Sequence, residues 1–174
     1  STGQRCTATS RAIVHNSIAD DFVASVRRRM KDIVPGDPLM PETTMGPSVD
    51  SEQFERVCGY LEVGKGEATL LEGGHVLRDG ALSDGYFVAP TLFDHVDRNA
   101  RIAQEEIFGP VLSVIAVDSF EEAIEVTNNV RFGLSSSIYT RDVNRVFRYA
   151  DEVDTGILHV NSATIGGEAH VPFG

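Results

Sequence analysis

Cys6 lies in the stretch GQRCTA, between an arginine and a threonine. A thiol attacks a carbonyl carbon as the thiolate, and a free cysteine is mostly protonated at neutral pH. Arg5 supplies a neighbouring positive charge. The small residues Gly3, Thr7 and Ala8 leave room for a substrate and for backbone N–H groups that could hold an oxyanion. Because buried free cysteines are usually packing residues, these residues alone leave both a nucleophilic and a core role open for Cys6.

Two glutamates and a second cysteine are the other residues that could do chemistry. Glu105 and Glu106 stand side by side, and such pairs are usually solvated charges, but here they precede the apolar stretch IFGPV. Cys58 belongs to an apolar stripe at helical spacing and is predicted to be a core residue, so two reduced thiols are expected. The five histidines show no ligand spacing with either cysteine, and we expect no metal site.

Composition and charge restrict the classes of partner. The 174 residues include 41% hydrophobic and 24% charged residues, which is ordinary usage for one globular domain. Fifteen Lys and Arg residues stand against 26 Asp and Glu residues, for a net charge of −11, and this balance disfavours a nucleic-acid partner. No apolar run reaches the length of a membrane span and no signal-peptide pattern is present, so we expect a cytoplasmic protein without a membrane partner.

The first part of the chain alternates a strand, a helix, a loop and a helix. Arg11–His15 has the β-branched character of a buried strand, and residues 17–34 follow with apolar residues spaced by four, as on one helix face. Residues 35–47 hold four of the seven prolines and are predicted to form an exposed loop. A second helix is predicted over residues 51–64.

The rest of the chain continues this alternation. ATLLEGG is predicted to be a strand and turn, GYFVAPTLFDHV a strand interrupted by Pro90, and residues 110–117 a buried parallel strand. A helix over 119–129 begins with a capping box of Ser119 and Glu122. Strand GLSSSIYT, helix DVNRVFRYADEV and strand GILHVN complete the series. This order predicts an α/β fold with a mostly parallel open sheet flanked by helices, in a single domain.

Two separate motifs resemble hallmarks of one known family. GQRC followed by T-A-x-S-R resembles the cysteine motif of the aldehyde dehydrogenase superfamily, and EEIFGPV at residues 105–111 resembles the second hallmark of that superfamily. GYFVAPTLF, NNVRFGLSSSIYTRD, GILHVN and PFG are also similar, so the resemblance covers essentially the whole chain. GQRCTATSR resembles the version in enzymes that oxidise acidic semialdehydes such as α-ketoglutaric semialdehyde.

The resemblance implies a role for each matching residue. Cys6 would attack the aldehyde to form a thiohemiacetal, a hydride would pass to NAD or NADP, and water would hydrolyse the resulting thioester to a carboxylic acid. Glu106 would accept hydrogen bonds from the nicotinamide ribose hydroxyls, Phe108 would form an apolar wall beside them, and Gln53 matches a weaker cofactor contact. The matches to the aldehyde tunnel are Arg5, Thr7 and Phe173. Arg5 either pairs with a distal carboxylate of the substrate or faces protein or solvent.

The same resemblance implies that residues 1–174 are a partial catalytic domain. The family's general-base glutamate, oxyanion-hole asparagine and Rossmann cofactor domain all precede the cysteine, and its oligomerisation strand follows the region matched here. We therefore expect the missing Rossmann domain of the same polypeptide to be the chain's partner, with a homo-oligomer in the full-length enzyme. Without the base and half of the cofactor site, the isolated chain is expected to be inactive.

Two other functions fit some of the same residues. Strand GILHVN places His159 and Asn161 on one face, which permits a cysteine hydrolase that uses Cys6 with His159 and Asn161. A non-catalytic interaction fragment is the second alternative, because the removal of a partner domain would expose apolar surface.

Overall fold

The computed structural model describes residues 1–167 and 170, and in this part of the chain six strands form two sheets. Four strands lie in the order β1-β4-β3-β2, and the other two, β5 and β6, pair with each other. The strands are β1 Arg11–His15, β2 Thr69–Glu72, β3 Thr91–Asp94, β4 Val111–Val117, β5 Ser135–Ile138 and β6 Ile157–Val160. All neighbours are parallel except β2 and β3, which confirms the predicted α/β class with a mostly parallel sheet.

The described α-helices cover both faces of the larger sheet and one side of the smaller one. They are α1 Ala19–Met30, α2 Ser51–Glu67, α3 Arg101–Gln104, α4 Phe120–Asn128 and α5 Val143–Glu152. Asp50 caps α2 by accepting from the backbone N–H of Gln53, and Ser119 caps α4 by accepting from that of Glu122. The carboxylate of Glu122 accepts from the N–H of Asp118 at 2.7 Å, one residue before the position that a capping box would use.

The core lies on both faces of strand β3, whose successive side chains point to opposite sides. Phe93 packs in a cluster with Val57 and Leu61 of α2, whereas Leu92 packs in a second cluster with Val23 of α1. Leu92 and Phe93 are fully buried, and burying a side chain of this size contributes about 1.5–3 kcal/mol. The sheet is therefore held between α1 on one face and α2 on the other, which fixes the loops at the ends of its strands.

Several helix and strand boundaries differ from the predicted ones. Helix α1 ends at Met30 rather than at residue 34, and α2 continues to Glu67 rather than ending at residue 64. Residues 16–18 form a 3-10 turn, so α1 begins at Ala19 and Ile18 is 56% exposed rather than part of the buried stripe. Strand β3 begins only after Pro90, because proline has no N–H to donate to a ladder. The preceding segment makes an isolated bridge between Val76 and Val88.

The second sheet is the main departure from a single open sheet. Strand β4 pairs with β1 on one edge and with β3 on the other, so it has no free edge for β5. Strand β5 instead pairs in parallel with β6, and helix α5 connects the two strands. A small cluster beneath that pair consists of Ile124, Tyr149 and Val153. Within the described residues, no helix is long and apolar enough to cross a membrane.

Candidate active site

Cys6 lies in a tight turn of the cysteine loop, which we define as residues 3–10. The backbone N–H of Ala8 donates to the carbonyl oxygen of Arg5 at 2.9 Å, which closes the turn around Cys6 and Thr7. The Cys6 side chain is exposed and its thiol is free. Cys6 is therefore neither a packing residue nor half of a disulfide.

Cys58 shows the opposite environment. It is a free thiol that is half-buried on α2, where it packs against the core cluster, as the apolar stripe predicted. Burial raises the pKa of the Cys58 thiol. The two cysteines therefore differ in access, and burial disfavours the reactive thiolate form of Cys58.

The segment before Cys6 is anchored to residues 46–49. The amide of Gln4 donates to the carbonyl oxygen of Pro47 at 3.2 Å and accepts from the backbone N–H of Val49 at 2.8 Å. The hydroxyl of Thr2, which is buried, donates to the carbonyl oxygen of Gly46 at 2.9 Å. Residues 46–49 thus support the cysteine loop.

Two glycines bring the cysteine loop against the Glu106 loop, defined as residues 105–110. Gly3 has a φ of +70°, and a Cβ there would overlap the carbonyl oxygen of Gly109 and come within 2.5 Å of its carbon. A Cβ on Gly109 would in turn lie 2.5 Å from Cγ2 of Val57 on α2. Only residues without a side chain allow this approach, so both motifs that the sequence singled out meet at one place.

Side chains of helix α2 donate hydrogen bonds to backbone carbonyl groups of the Glu106 loop. The side-chain amide of Gln53 donates to the carbonyl oxygens of Ile107 and Phe108 at 3.0 and 2.9 Å. The Arg56 guanidinium donates to the backbone carbonyl oxygen of Glu106 at 2.6 Å. Phe108 has a φ of +57°, a left-handed conformation that is uncommon for a bulky residue and is held here by these bonds.

The neighbouring carboxylates of the Glu106 loop have different surroundings. Glu105 accepts from the Tyr60 hydroxyl at 2.8 Å and from the Arg101 guanidinium at 3.0 and 3.2 Å. Hydrogen bonds from Arg101 and Tyr60 hold the pKa of Glu105 below its usual value. Glu106 is exposed, and no donor in the described part of the chain is bonded to its carboxylate. Glu105 is therefore structural, and Glu106 is available to a ligand.

A groove of about 1710 Å³ runs past both loops. Arg5, Cys6, Glu106 and Phe108 all line it, so the structure brings together four of the residues that the sequence predicted. Thr7 is half-buried in the cysteine loop, and Gln53 lies beneath the Glu106 loop; neither lines the groove. Phe173 lies outside the described residues.

The hydrolase residues are not assembled with Cys6. The amide of Asn161 donates to the carbonyl oxygen of Thr140 and accepts from its backbone N–H, both at 3.0 Å, so Asn161 is occupied in joining the ends of β5 and β6. His159 does not line the groove that holds Cys6. Its Nε2 is buried without a partner in the described part of the chain. In residues 1–167 and 170, no three His, Cys, Asp or Glu side chains cluster as metal ligands do.

Sequence reasoning missed two residues that support the cysteine loop. The Arg11 guanidinium donates to the carbonyl oxygens of Val126 and Thr127, each at 3.1 Å, at the C-terminal end of α4 where a positive charge is favourable. Thr164 donates to the carbonyl oxygen of Thr7 at 2.7 Å from the other end of the chain. Arg11 is the last residue of the T-A-x-S-R motif and could have been identified from it. No sequence pattern predicts the contact between Thr164 and Thr7.

Comparisons with known proteins give a consistent result over this whole region. A family model described as "Aldehyde dehydrogenase family" matches residues 1–174. Alpha-ketoglutaric semialdehyde dehydrogenase from Bacillus subtilis is 46% identical over all of this chain and 36% of its own length. The alpha-ketoglutarate semialdehyde dehydrogenase of Haloferax volcanii is 47% identical over 99% of this chain and 36% of its own length.

Solved structures resemble the chain equally well. Betaine aldehyde dehydrogenase from Staphylococcus aureus in complex with NAD⁺ superposes with a TM-score of 0.95 at 34% identity, over 99% of this chain and 34% of that one. For 1-pyrroline-5-carboxylate dehydrogenase from Thermus with bound NAD, the TM-score is 0.93 at 41% identity, over 99% of this chain and 33% of that one. The chain therefore spans about a third of the length of the relatives it matches.

Proposed function

Because the chain belongs to the aldehyde dehydrogenase family, we propose that it supplies the nucleophile and part of the cofactor site of an NAD- or NADP-dependent aldehyde dehydrogenase. The observation that carries this proposal is the shared groove: an exposed thiol at Cys6, a free carboxylate at Glu106 and the Phe108 ring line one cavity. Since the relatives are about three times as long, the rest of the site is assigned to other parts of a longer parent polypeptide.

Cys6 is proposed to attack the aldehyde carbon. A C–S bond forms, the thiol proton leaves to a base, and the carbonyl oxygen becomes the oxygen of a thiohemiacetal. The backbone N–H of Cys6 donates to no backbone acceptor in the described residues, which leaves it free to stabilise the developing oxyanion. Loss of hydride gives a thioester on Cys6, and water then releases the carboxylic acid and restores the thiol.

The Glu106 loop fits the ribose and nicotinamide of a dinucleotide. A carboxylate with unoccupied oxygens accepts hydrogen bonds from two adjacent hydroxyl groups, and Glu106 offers such oxygens to the groove. Phe108 provides an apolar surface beside them. Gln53 is proposed to act from beneath by fixing the carbonyl groups of the loop. When bound, the nicotinamide supplies the acceptor for the hydride.

Arg5 supports an acidic aldehyde as the substrate. It is exposed in the groove next to Cys6, and no carboxylate of the described residues forms an ion pair with it. A guanidinium binds a carboxylate through two parallel hydrogen bonds, so Arg5 is proposed to hold the distal carboxylate of a semialdehyde. The names of the two relatives from Bacillus subtilis and Haloferax volcanii agree with this class.

The substrate proposal is tested by Arg5→Ala in the parent polypeptide. Loss of a charged hydrogen bond removes about 1.5–3 kcal/mol, so KM for an ω-carboxylated aldehyde should rise about 10- to 100-fold. KM for a neutral aldehyde of equal length should change little, and Arg5→Lys should recover part of the loss. Equal effects on both aldehydes would contradict the proposal.

Exposed apolar residues on α5 and just after β5 support a contact with another part of the parent polypeptide. Val143, Phe147 and Tyr139 are 61%, 67% and 71% exposed, and the first two are neighbours one turn apart on α5. A cofactor domain and other parts of a longer parent polypeptide are proposed to cover this face. The isolated 174-residue chain is therefore proposed to be inactive and to associate as its concentration rises, which size-exclusion chromatography and an assay of NADH formation would measure.

The dehydrogenase proposal itself is tested by exchanging the two thiols separately in the parent polypeptide. Cys6→Ala should abolish NADH formation from a semialdehyde and the covalent acyl-enzyme seen by mass spectrometry. Cys58→Ala is the matched control, since it removes the same atom from a half-buried position that does not line the groove, and it should retain both. Activity that survives in Cys6→Ala would refute the role of Cys6.

A further inference from the structure

The segment after β6 reaches back to the cysteine loop through Thr164. Its hydroxyl donates to the carbonyl oxygen of Thr7 at 2.7 Å and lies 2.9 Å from the hydroxyl oxygen of Thr9. The carbonyl oxygen of Thr164 accepts from the hydroxyl of Ser135, at the start of β5, at 2.9 Å. Thr164 thus joins the residues just after Cys6 to the smaller sheet.

The direction of each hydrogen bond follows from the number of protons available. A threonine hydroxyl has one hydrogen, and that of Thr164 is used on the carbonyl of Thr7. In the pair with Thr9, Thr164 is therefore the acceptor and Thr9 the donor. The Thr164 hydroxyl therefore both donates a hydrogen bond to the cysteine loop and accepts one from it. A methyl group in its place would leave the Thr7 carbonyl without this donor.

These bonds fix one peptide plane next to the thiol. The peptide unit of Thr7 and Ala8 has its carbonyl oxygen held by Thr164 and its N–H bonded to the carbonyl oxygen of Arg5. A planar peptide bound at both ends cannot rotate without breaking a hydrogen bond. The turn that carries Cys6 is therefore held from both sides of the chain, by Gln4 before it and by Thr164 after it.

We propose that Thr164 is a positioning residue for Cys6: its hydroxyl fixes the turn that presents the thiol to the groove and ties that turn to the smaller sheet. Thr164 lies on the segment that follows β6, and its hydrogen bonds go to Thr7, Thr9 and Ser135 and not to the Glu106 loop. The kinetic consequence rests on the dehydrogenase function proposed above. The structural consequence does not, because it concerns only how the turn is held.

The kinetic test compares three variants of the full parent polypeptide. Thr164→Val keeps the shape and removes the hydroxyl, and misplacing a reacting group by a fraction of an ångström to 1 Å should lower kcat about 10- to 100-fold. The KM for NAD should stay at its wild-type value, because the Glu106 loop is not altered. Thr164→Ser keeps the hydroxyl and should restore kcat. Wild-type kcat in Thr164→Val, or equal losses in Thr164→Ser, would overturn the proposal.

A matched control separates position from general stability. Thr44→Val also removes a hydroxyl that is bonded to the backbone, where it accepts from the N–H of Val34 at 2.8 Å, but Thr44 is exposed and its side chain makes no hydrogen bond to the cysteine loop. This control should keep wild-type kcat even if its Tm falls as far as that of Thr164→Val. An equal loss of kcat in both variants would assign the effect to stability and overturn the proposal.

Hydrogen exchange tests the same inference without any turnover. In Thr164→Val, amide exchange in a peptide covering residues 4–10 should speed up about 5- to 10-fold, because the N–H of Ala8 loses the support that keeps its turn closed. Thr164→Ser and Thr44→Val should exchange there as the wild type does. Unchanged exchange in Thr164→Val refutes the positioning role. Faster exchange in a parent that oxidises no aldehyde would uphold it and refute the dehydrogenase proposal instead.

Discussion

Replacement of Gly3 by alanine tests the contact that brings the two loops together. The new Cβ would overlap the carbonyl oxygen of Gly109, and restoring an ordinary van der Waals separation requires a shift of about 1.5 Å. A backbone carbonyl cannot rotate aside as the end of a side chain does. Gly109 is also supported from behind by Val57, which is buried in the core. The shift therefore falls on the cysteine loop and on Cys6.

The size of the effect follows from that displacement. Misplacing a reacting group by about 1 Å already costs on the order of 10²-fold in rate, which corresponds to about 2.7 kcal/mol of activation free energy, and the shift at Gly3 is larger than this. The φ of +70° at Gly3 is a second cost, because alanine in this region loses about 1–2 kcal/mol relative to glycine. We therefore expect Gly3→Ala to lower both kcat and the free energy of unfolding.

The assay measures kcat for aldehyde oxidation and the urea midpoint in the parent polypeptide. Gly59→Ala is the matched control, since Gly59 is exposed on α2 and a Cβ there meets no atom within 4 Å. It should raise the free energy of unfolding by about 0.5–1 kcal/mol, because glycine is a poor helix former, and leave kcat unchanged. A folded Gly3→Ala variant with wild-type kcat would refute the reasoning.

Three further predictions concern the reactivity of the two thiols, the loss of stability at acid pH, and the hydrogen bonds from Gln53 to the Glu106 loop. Iodoacetamide at neutral pH should label Cys6 well before Cys58, because burial raises the pKa of the Cys58 thiol and limits access; mass spectrometry would show equal labelling if this is wrong. The pKa of Glu105 is lowered by Arg101, so its stabilising effect is present above the unfolded pKa of about 4.3 and is lost as pH falls through the lower folded pKa. Urea midpoints from neutral to acid pH should therefore fall less steeply in Glu105→Gln. Gln53→Leu should cost about 1–3 kcal/mol of unfolding free energy by leaving two loop carbonyls unpaired, and should weaken NAD binding measured by calorimetry.

Much of the fold could be predicted because local patterns and burial agree. The β-branched run Arg11–His15 is a strand, Ser119 caps a helix, and the apolar strand before it lies at the centre of the sheet, as its composition indicated. The separation of β5 and β6 could not be predicted, because it depends on which strands occupy the two edges of β4. Which strands pair depends on the whole sheet, and local sequence patterns do not predict it.

The sequence predicted four residues that meet on one groove, but it did not predict which residues hold them there. Cys6 and Glu106 were identified by motif, and the structure places both on one groove. The difference between Glu105 and Glu106 depends on Tyr60, which lies far away in sequence and carries no motif. Thr164 is a similar case, since a single hydroxyl in a polar loop has no distinctive spacing. Hydrogen bonds between distant residues are set by the folded chain and leave no periodic signal.

The stacking of Gly3 on Gly109, and of Gly109 on Val57, also bears on how the protein assembles. These three stretches are far apart in sequence, so the turn bearing the thiol cannot reach its final geometry until the sheet and α2 have condensed around them. Closing such long loops is slow compared with forming a helix. A chain still in the course of folding therefore lacks a correctly oriented Cys6 thiol, and the proposed reactive centre is completed together with the hydrophobic core.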